Sequence, residues 1–306
     1  MRVLLLFLDG VGIGAADPDR NAFLHARLPT LRALLDGHLP LGDVYPFHAA
    51  NATLAPLDAL LGVPGLPQSG TGQTALFTGD NAPRLHGRHF GPWVPTGLRE
   101  LLRTRSVLAR VAAAGLSPAF ANAYPEELFA ATAAAGRAPP FLRAGPPLAA
   151  LGANLLVRHT EALRQGSAVA SEIVNTGWRD HLKRSGLPEI TAQQAGVNLA
   201  RIVAAHDLTL FAHYSTDTAG HERDLAAAVR ALERVDELLE GLLPALPADA
   251  VLVIASDHGN IEDITQGHTS NPALGIVAGA DHGHHAAGLR ALTDVAPMIL
   301  GALHVA

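Results

Sequence analysis

Cysteine is absent from all 306 residues, which removes both disulfides and thiolate metal ligands from consideration. Lysine occurs once, at Lys183, and arginine carries the rest of the positive side-chain charge. No Lys/Arg run is available to follow a phosphate backbone, and a formal charge of -6 argues against nucleic acid as partner. Long apolar runs are also missing. The N-terminal run Val3 to Leu8 stops at Asp9, too short for a signal h-region or a membrane span. The expectation is a soluble, cytoplasmic protein with no membrane partner, its oligomeric state open.

What is present suffices for a large core. Hydrophobic residues make up 48% of the chain and mean hydropathy is +0.20. The length suits one large α/β domain, or such a domain with a modest insert. Aliphatic runs at Val3 to Leu8, Ser117 to Ala123, Leu208 to His213, Val251 to Ala255 and Leu274 to Ala278 read as buried strands. Helices are expected over Pro29 to Leu35, Leu98 to Ala114, Ile190 to Ala205, Arg223 to Leu243 and Thr293 to Leu303, the last capped by Thr293. Between about 124 and 190 the periodicity weakens, and Ala, Gly and Pro crowd Ala133 to Ala150. That region is the expected place for a small cap.

Chemistry-bearing residues recur just after the strands. Asp9 follows the first, within Asp9-Gly-Val-Gly-Ile-Gly14. It either caps a Gly-rich turn or ligates a metal at the strand tip; the spacing is not a dinucleotide fingerprint. Asp217 and His221 follow the third strand, four apart and so on one face of a helical turn. Asp257 and His258 end the next, with Gly259 and Asn260 free to take unusual backbone angles. His268 arrives in a second Gly/Ser/Asn loop. Strand ends on one rim of an α/β sheet are where such folds keep their chemistry. Together, three carboxylates and three imidazoles make two mixed nitrogen/oxygen metal sites.

A hydroxyl-rich segment, Ser69-Gly-Thr-Gly-Gln-Thr-Ala-Leu-Phe-Thr78, reads as a loop feeding a helix that starts near Gln73. A hydroxyl at a helix N-terminus favours alkoxide and bound phosphate, and Thr74 is the expected extra ligand. A plain N-cap with a flexible entry loop is the competing reading. Arg88 and His89 are candidate substrate contacts, and the loop Asp281-His-Gly-His-His285 is read as an adventitious binder.

The sequence resembles the alkaline phosphatase superfamily, and within it the group of cofactor-independent phosphoglycerate mutase and phosphopentomutase. The resemblance rests on Leu8-Asp-Gly-Val-Gly-Ile-Gly14, Gly72-Gln-Thr-Ala75, Asp217-Thr-Ala-Gly-His221, Ser256-Asp-His-Gly-Asn260, His268-Thr-Ser-Asn-Pro272 and Thr293-Asp-Val-Ala-Pro297. It implies an α/β three-layer sandwich, a mostly parallel sheet flanked by helices, forming a single domain over 1–306 with a small cap at about 124–190. It implies that Asp9, Thr74, Asp257 and His258 surround one divalent ion, and Asp217, His221 and His268 the other. Thr74 would be the nucleophile that becomes phosphorylated. Mixed ligands put manganese or zinc ahead of magnesium.

The implied function is phosphatase or phosphotransferase activity on a small phosphate ester. A phosphomutase is the alternative, and a non-catalytic metal-binding protein a third. The chain lacks the large inserted domain of the phosphoglycerate mutase, and Thr74-Ala-Leu-Phe lacks the Gly-His that usually follows the nucleophile in both mutases.

Overall fold

The computed structural model describes residues 1–42, 46–129 and 140–305. Seven strands form one sheet: β1 (Arg2–Leu8), β2 (Phe47–His48), β3 (Ala52–Leu54), β4 (Pro118–Phe120), β5 (Leu208–His213), β6 (Ala250–Ala255) and β7 (Gly275–Gly279). Their order across the sheet is β2-β3-β7-β6-β1-β5-β4. The centre is parallel, with β1 between β5 and β6, and β4 beside β5. The β7, β3 and β2 side pairs antiparallel.

Period-two alternation explains the layering. Leu4, Leu6 and Leu8 of β1 point into one core, with Leu252 and Ile254 of β6. Val3, Leu5 and Phe7, with Val251 and Val253, point into the other. Helices Ala192–Ala205 and Leu225–Leu242 cover the first face, and Ser69–Thr78, Gly145–Gly152 and Val295–Ala302 the second. The result is an α/β three-layer sandwich. Burial on both faces is why the central strands read as unbroken aliphatic runs.

Caps mark where the helices begin. The Thr191 side chain accepts from Gln194 N, and that of Asp224 from Ala227 N. Buried Asp236 accepts from Thr30 N at 3.1 Å and Leu31 N at 2.7 Å, tying the first helix, Pro29–Leu34, to Leu225–Leu242. Three expectations need correction. The expected Leu98 to Ala114 helix is two helices, Arg99–Arg105 and Val107–Ala113, because extended Ser106 breaks the ladder and caps the second. Ser69, not Gln73, opens its helix. At the C-terminal helix Asp294, not Thr293, accepts the free backbone N–H groups, from Arg290 and Ala291. Of the Ala/Gly/Pro-rich stretch, 133–139 lies outside the described residues. Among the described residues, no helix is long and apolar enough to cross a membrane.

Candidate metal centre

Three adjacent parallel strands deliver the site. Asp9 follows β1, Ser256 and Asp257 follow β6, and β5 runs through Tyr214 into the Ser215–Glu222 helix that carries Asp217 and His221. Gly10, at φ 68°, turns the chain away from Asp9 where a side chain would be strained. A Cβ there would also stand 2.5 Å from Asp217 Oδ1. Gly12 serves a similar end: its N–H donates to buried Glu262 at 3.0 Å, and a Cβ would lie 2.4 Å from that carboxylate. The glycines of the first loop thus admit protein side chains rather than a nucleotide.

Asp9, Asp257 and His258 bring one ligand atom each to within 4.8 Å of one another, as do Asp217, His258 and His268. His258 Nε2 stands 3.5 Å from Asp9 Oδ1 and 3.6 Å from Asp257 Oδ2. Both of those carboxylate oxygens are buried with no hydrogen-bond partner among the described residues. His268 Nε2 is 3.7 Å from Asp217 Oδ1 and 3.1 Å from His221 Nε2, and His221 Nε2 is 3.2 Å from Asp217 Oδ2. His268 Nδ1 meets the Pro67 carbonyl at 2.8 Å, and His258 Nδ1 the Gly259 carbonyl at 3.3 Å. A proton on each Nδ1 leaves the Nε2 lone pairs turned inward, the tautomer that metal ligation requires. Asn260 Nδ2 donates to Asp217 Oδ1 at 2.7 Å, and Gln73 Nε2 to Asp9 Oδ2 at 3.1 Å.

The electrostatics favour a cation. Burial, then the Asp257 and Asp217 charges, hold the Asp9 carboxyl well above its ordinary pKa. Burial and Asp217 raise Asp257 to about 7. Burial lowers His258, and burial together with His258 lowers His268 to about 4. Crowded carboxylates repel one another, while neutral imidazoles offer lone pairs. A divalent ion removes the repulsion and uses the lone pairs. The orphaned oxygens and inward nitrogens therefore fit divalent metal.

Two expectations do not match the geometry. Thr74 Oγ1 donates to the Gly70 carbonyl at 2.7 Å inside its helix, so that hydroxyl is taken up by the turn before it. Ser69, the first residue of that helix, instead places its Oγ 3.0 Å from His258 Nε2. Arg88 stacks over Phe90 at 5.6 Å, and His89 Nε2 meets the Val63 carbonyl at 3.1 Å. Neither lines the cavity over the cluster. In the late loop, His282 Nδ1 pairs with Thr53 Oγ1 at 2.9 Å and the His284 and His285 rings sit 5.7 Å apart. They form no ligand group among the described residues.

A cavity of about 350 Å³ opens over Asp9, Ser69, Gln73 and Asp217. The larger cavity of about 570 Å³, bordered by His284 and His285, is elsewhere.

Residues 185–306 match the Metalloenzyme superfamily model. The 2,3-bisphosphoglycerate-independent phosphoglycerate mutase of Paracoccus denitrificans is 36% identical over 123 residues, 37% of this chain and 24% of the relative. That of Moorella thermoacetica is 33% identical over 128 residues, 39% and 25%. The chain thus spans about a quarter of the length of the relatives it matches. Among solved structures, the PH0037 protein from Pyrococcus horikoshii superposes with a TM-score of 0.58 at 13% identity, covering 100% of this chain and 97% of that one. Alkaline phosphatase from the Antarctic bacterium TAB5 gives 0.52 at 13% identity, covering 100% and 98%. Residues 185–306 thus match the Metalloenzyme superfamily, one segment of the chain resembles part of the cofactor-independent phosphoglycerate mutases, and the chain as a whole shares the alkaline phosphatase fold.

Proposed function

We propose that the chain transfers a phosphoryl group from a small phosphate ester to Ser69, at a centre of two divalent cations. Asp9, Asp257 and His258 would hold one, and Asp217, His221 and His268 the other; manganese or zinc suits these mixed ligands better than magnesium. The observation that carries the reading is Ser69 Oγ, 3.0 Å from His258 Nε2 at the opening of a buried helix. Beside it stand the two orphaned carboxylate oxygens.

Bound metal would lower the pKa of the serine hydroxyl and offset phosphate charge. The chain's own groups do the rest. Gln73 fixes the Asp9 carboxylate, Asn260 fixes Asp217, and the positive end of the Ser69–Thr78 helix favours an alkoxide. Ser69 Oγ attacks phosphorus, the ester oxygen leaves with a proton as the free alcohol, and a phosphoserine forms. Water then attacks that phosphorus, releasing inorganic phosphate and restoring the hydroxyl. Residues from about 124 to 190 would act as a small cap, since Tyr124, Phe141, Ala144 and Ser171 border the cavity. A second reading, return of the phosphoryl group to the alcohol as in a mutase, is supported by the likeness of one segment to the phosphoglycerate mutases.

The test is a panel of phosphate esters with manganese, zinc or magnesium, run on the wild type, Ser69→Ala and Thr74→Ala. Turnover should fall by at least about a thousandfold in Ser69→Ala and persist in Thr74→Ala. Full activity in Ser69→Ala would overturn the assignment.

A further inference from the structure

The cavity that opens over Asp9 and Asp217 is also lined by four aromatic side chains, Trp93, Tyr124, Phe141 and Tyr214, together with Pro92. We infer that the alcohol part of the ester is uncharged and carries a flat apolar group, rather than a glycerate or another second anion. The inference names the substrate class of the site proposed above and rests on that reading.

Three observations support it. First, Trp93 is 38% exposed where most large apolar side chains are buried, and it lines the same cavity as Ser69. Phe141 stacks on Tyr124 at 4.8 Å with an interplanar angle of 21°, which makes a second flat surface. Aromatic faces bind other flat apolar groups by offset or edge contacts.

Second, both walls are fastened to the helix that opens with Ser69. Thr71 N donates to the Phe90 carbonyl at 3.0 Å, and Phe90 N to Thr71 Oγ1 at 3.1 Å. Gly70 makes room for this, because a Cβ there would stand 2.1 Å from the Trp93 carbonyl. On the other side Gly145 N donates to Gln73 Oε1 at 2.9 Å, and Val94 N to the Arg143 carbonyl at 2.8 Å. The aromatic surfaces are thus held in place relative to the hydroxyl, and little ordering is left for binding.

Third, among the described residues no arginine, lysine or histidine borders this cavity; its charged groups are Asp9 and Asp217. A carboxylate on the substrate would meet repulsion from these two and find no cationic side chain among the described residues that line the cavity.

The experiment compares benzyl phosphate, glycerol 1-phosphate and 3-phosphoglycerate on the manganese-loaded full chain. The expected kcat/KM for benzyl phosphate exceeds that for 3-phosphoglycerate by about a hundredfold, with glycerol 1-phosphate between them. Trp93→Ala should cut the benzyl-to-glycerol ratio about tenfold, the size of one aromatic contact. A second arm measures binding of benzylphosphonate and methylphosphonate to Ser69→Ala by calorimetry, with benzylphosphonate expected about tenfold tighter. Equal binding, or 3-phosphoglycerate as the better substrate, would overturn the inference. If no ester is turned over, the Ser69 reading fails, and the binding arm still decides on the aromatic cleft.

Discussion

The two halves of the ligand cluster differ in how they meet solvent. Asp257 and His258 have side chains at 0% exposure, with Asp9 at 9%. On the other side Asp217 stands at 14% and His221 at 55%. The closed half hangs on the tips of two central strands; in the open half Asp217 and His221 ride on a short helix beyond β5, while His268, at 7% exposure, comes from the loop after β6. Buried ligands on rigid strands favour tight, slowly exchanging metal, whereas an exposed imidazole leaves room for water and substrate. On the two-cation reading proposed above, the first half would hold a resident ion and the second an exchangeable one.

The largest test of that contrast is Asp257→Asn. Removing a fully buried ligand charge should weaken the tighter of two calorimetric binding steps on the order of a thousandfold. Loss of the weaker step instead would reverse the two halves.

A buried imidazole that is no ligand provides the control for pH. His213, at the end of β5, is fully buried, meets the Ser171 carbonyl at 2.7 Å, and burial lowers its pKa to about 4. A folded pKa depressed below the unfolded value gives stability that is present above about 6.5 and lost as pH falls toward 4. On lowering pH from 7 to 4, unfolding free energy should shift in favour of His213→Gln over wild type by about 3 kcal/mol. Chemical denaturation at the two pH values measures it, and an unchanged difference would show that His213 takes up its proton freely in the fold.

Smaller effects refine the open half. His221→Ala should weaken the looser binding step about tenfold and leave the tighter one in place, read in the same calorimetric titration. Thr74→Ala should cost about 1 kcal/mol of stability, the worth of its hydrogen bond to Gly70. Its kcat should stay within a few-fold of wild type; a collapse would return Thr74 to the chemistry.

How much of this was legible beforehand follows from the physics of each element. The five strands legible in the sequence sit in apolar runs, and β2 and β3 escape because Phe47–His48 and Ala52–Leu54 are two and three residues outside any such run. Six side chains at strand ends could be named because the strands carry them to one rim. The hydroxyl could not be chosen by composition alone, since Ser69, Thr71, Thr74 and Thr78 all lie in one helix and only its true start separates them. Once Ser69 opens that helix, Gly72-Gln73 follows it, in place of the Gly-His pair that is missing after Thr74. Gln73 itself was beyond reach, because its role depends on Asp9 and Gly145, both more than sixty residues away in the chain. Arg88 and His89 misled for the opposite reason: charge near a motif says nothing about which way the side chains face.

The most direct measurement is to incubate the manganese-loaded protein with benzyl phosphate, quench in acid, and map phosphate on the peptides by mass spectrometry. A single phosphoryl group on Ser69, absent in Ser69→Ala, is the predicted result. Phosphate on Thr74, or turnover with no phosphopeptide at any time point, would contradict the account.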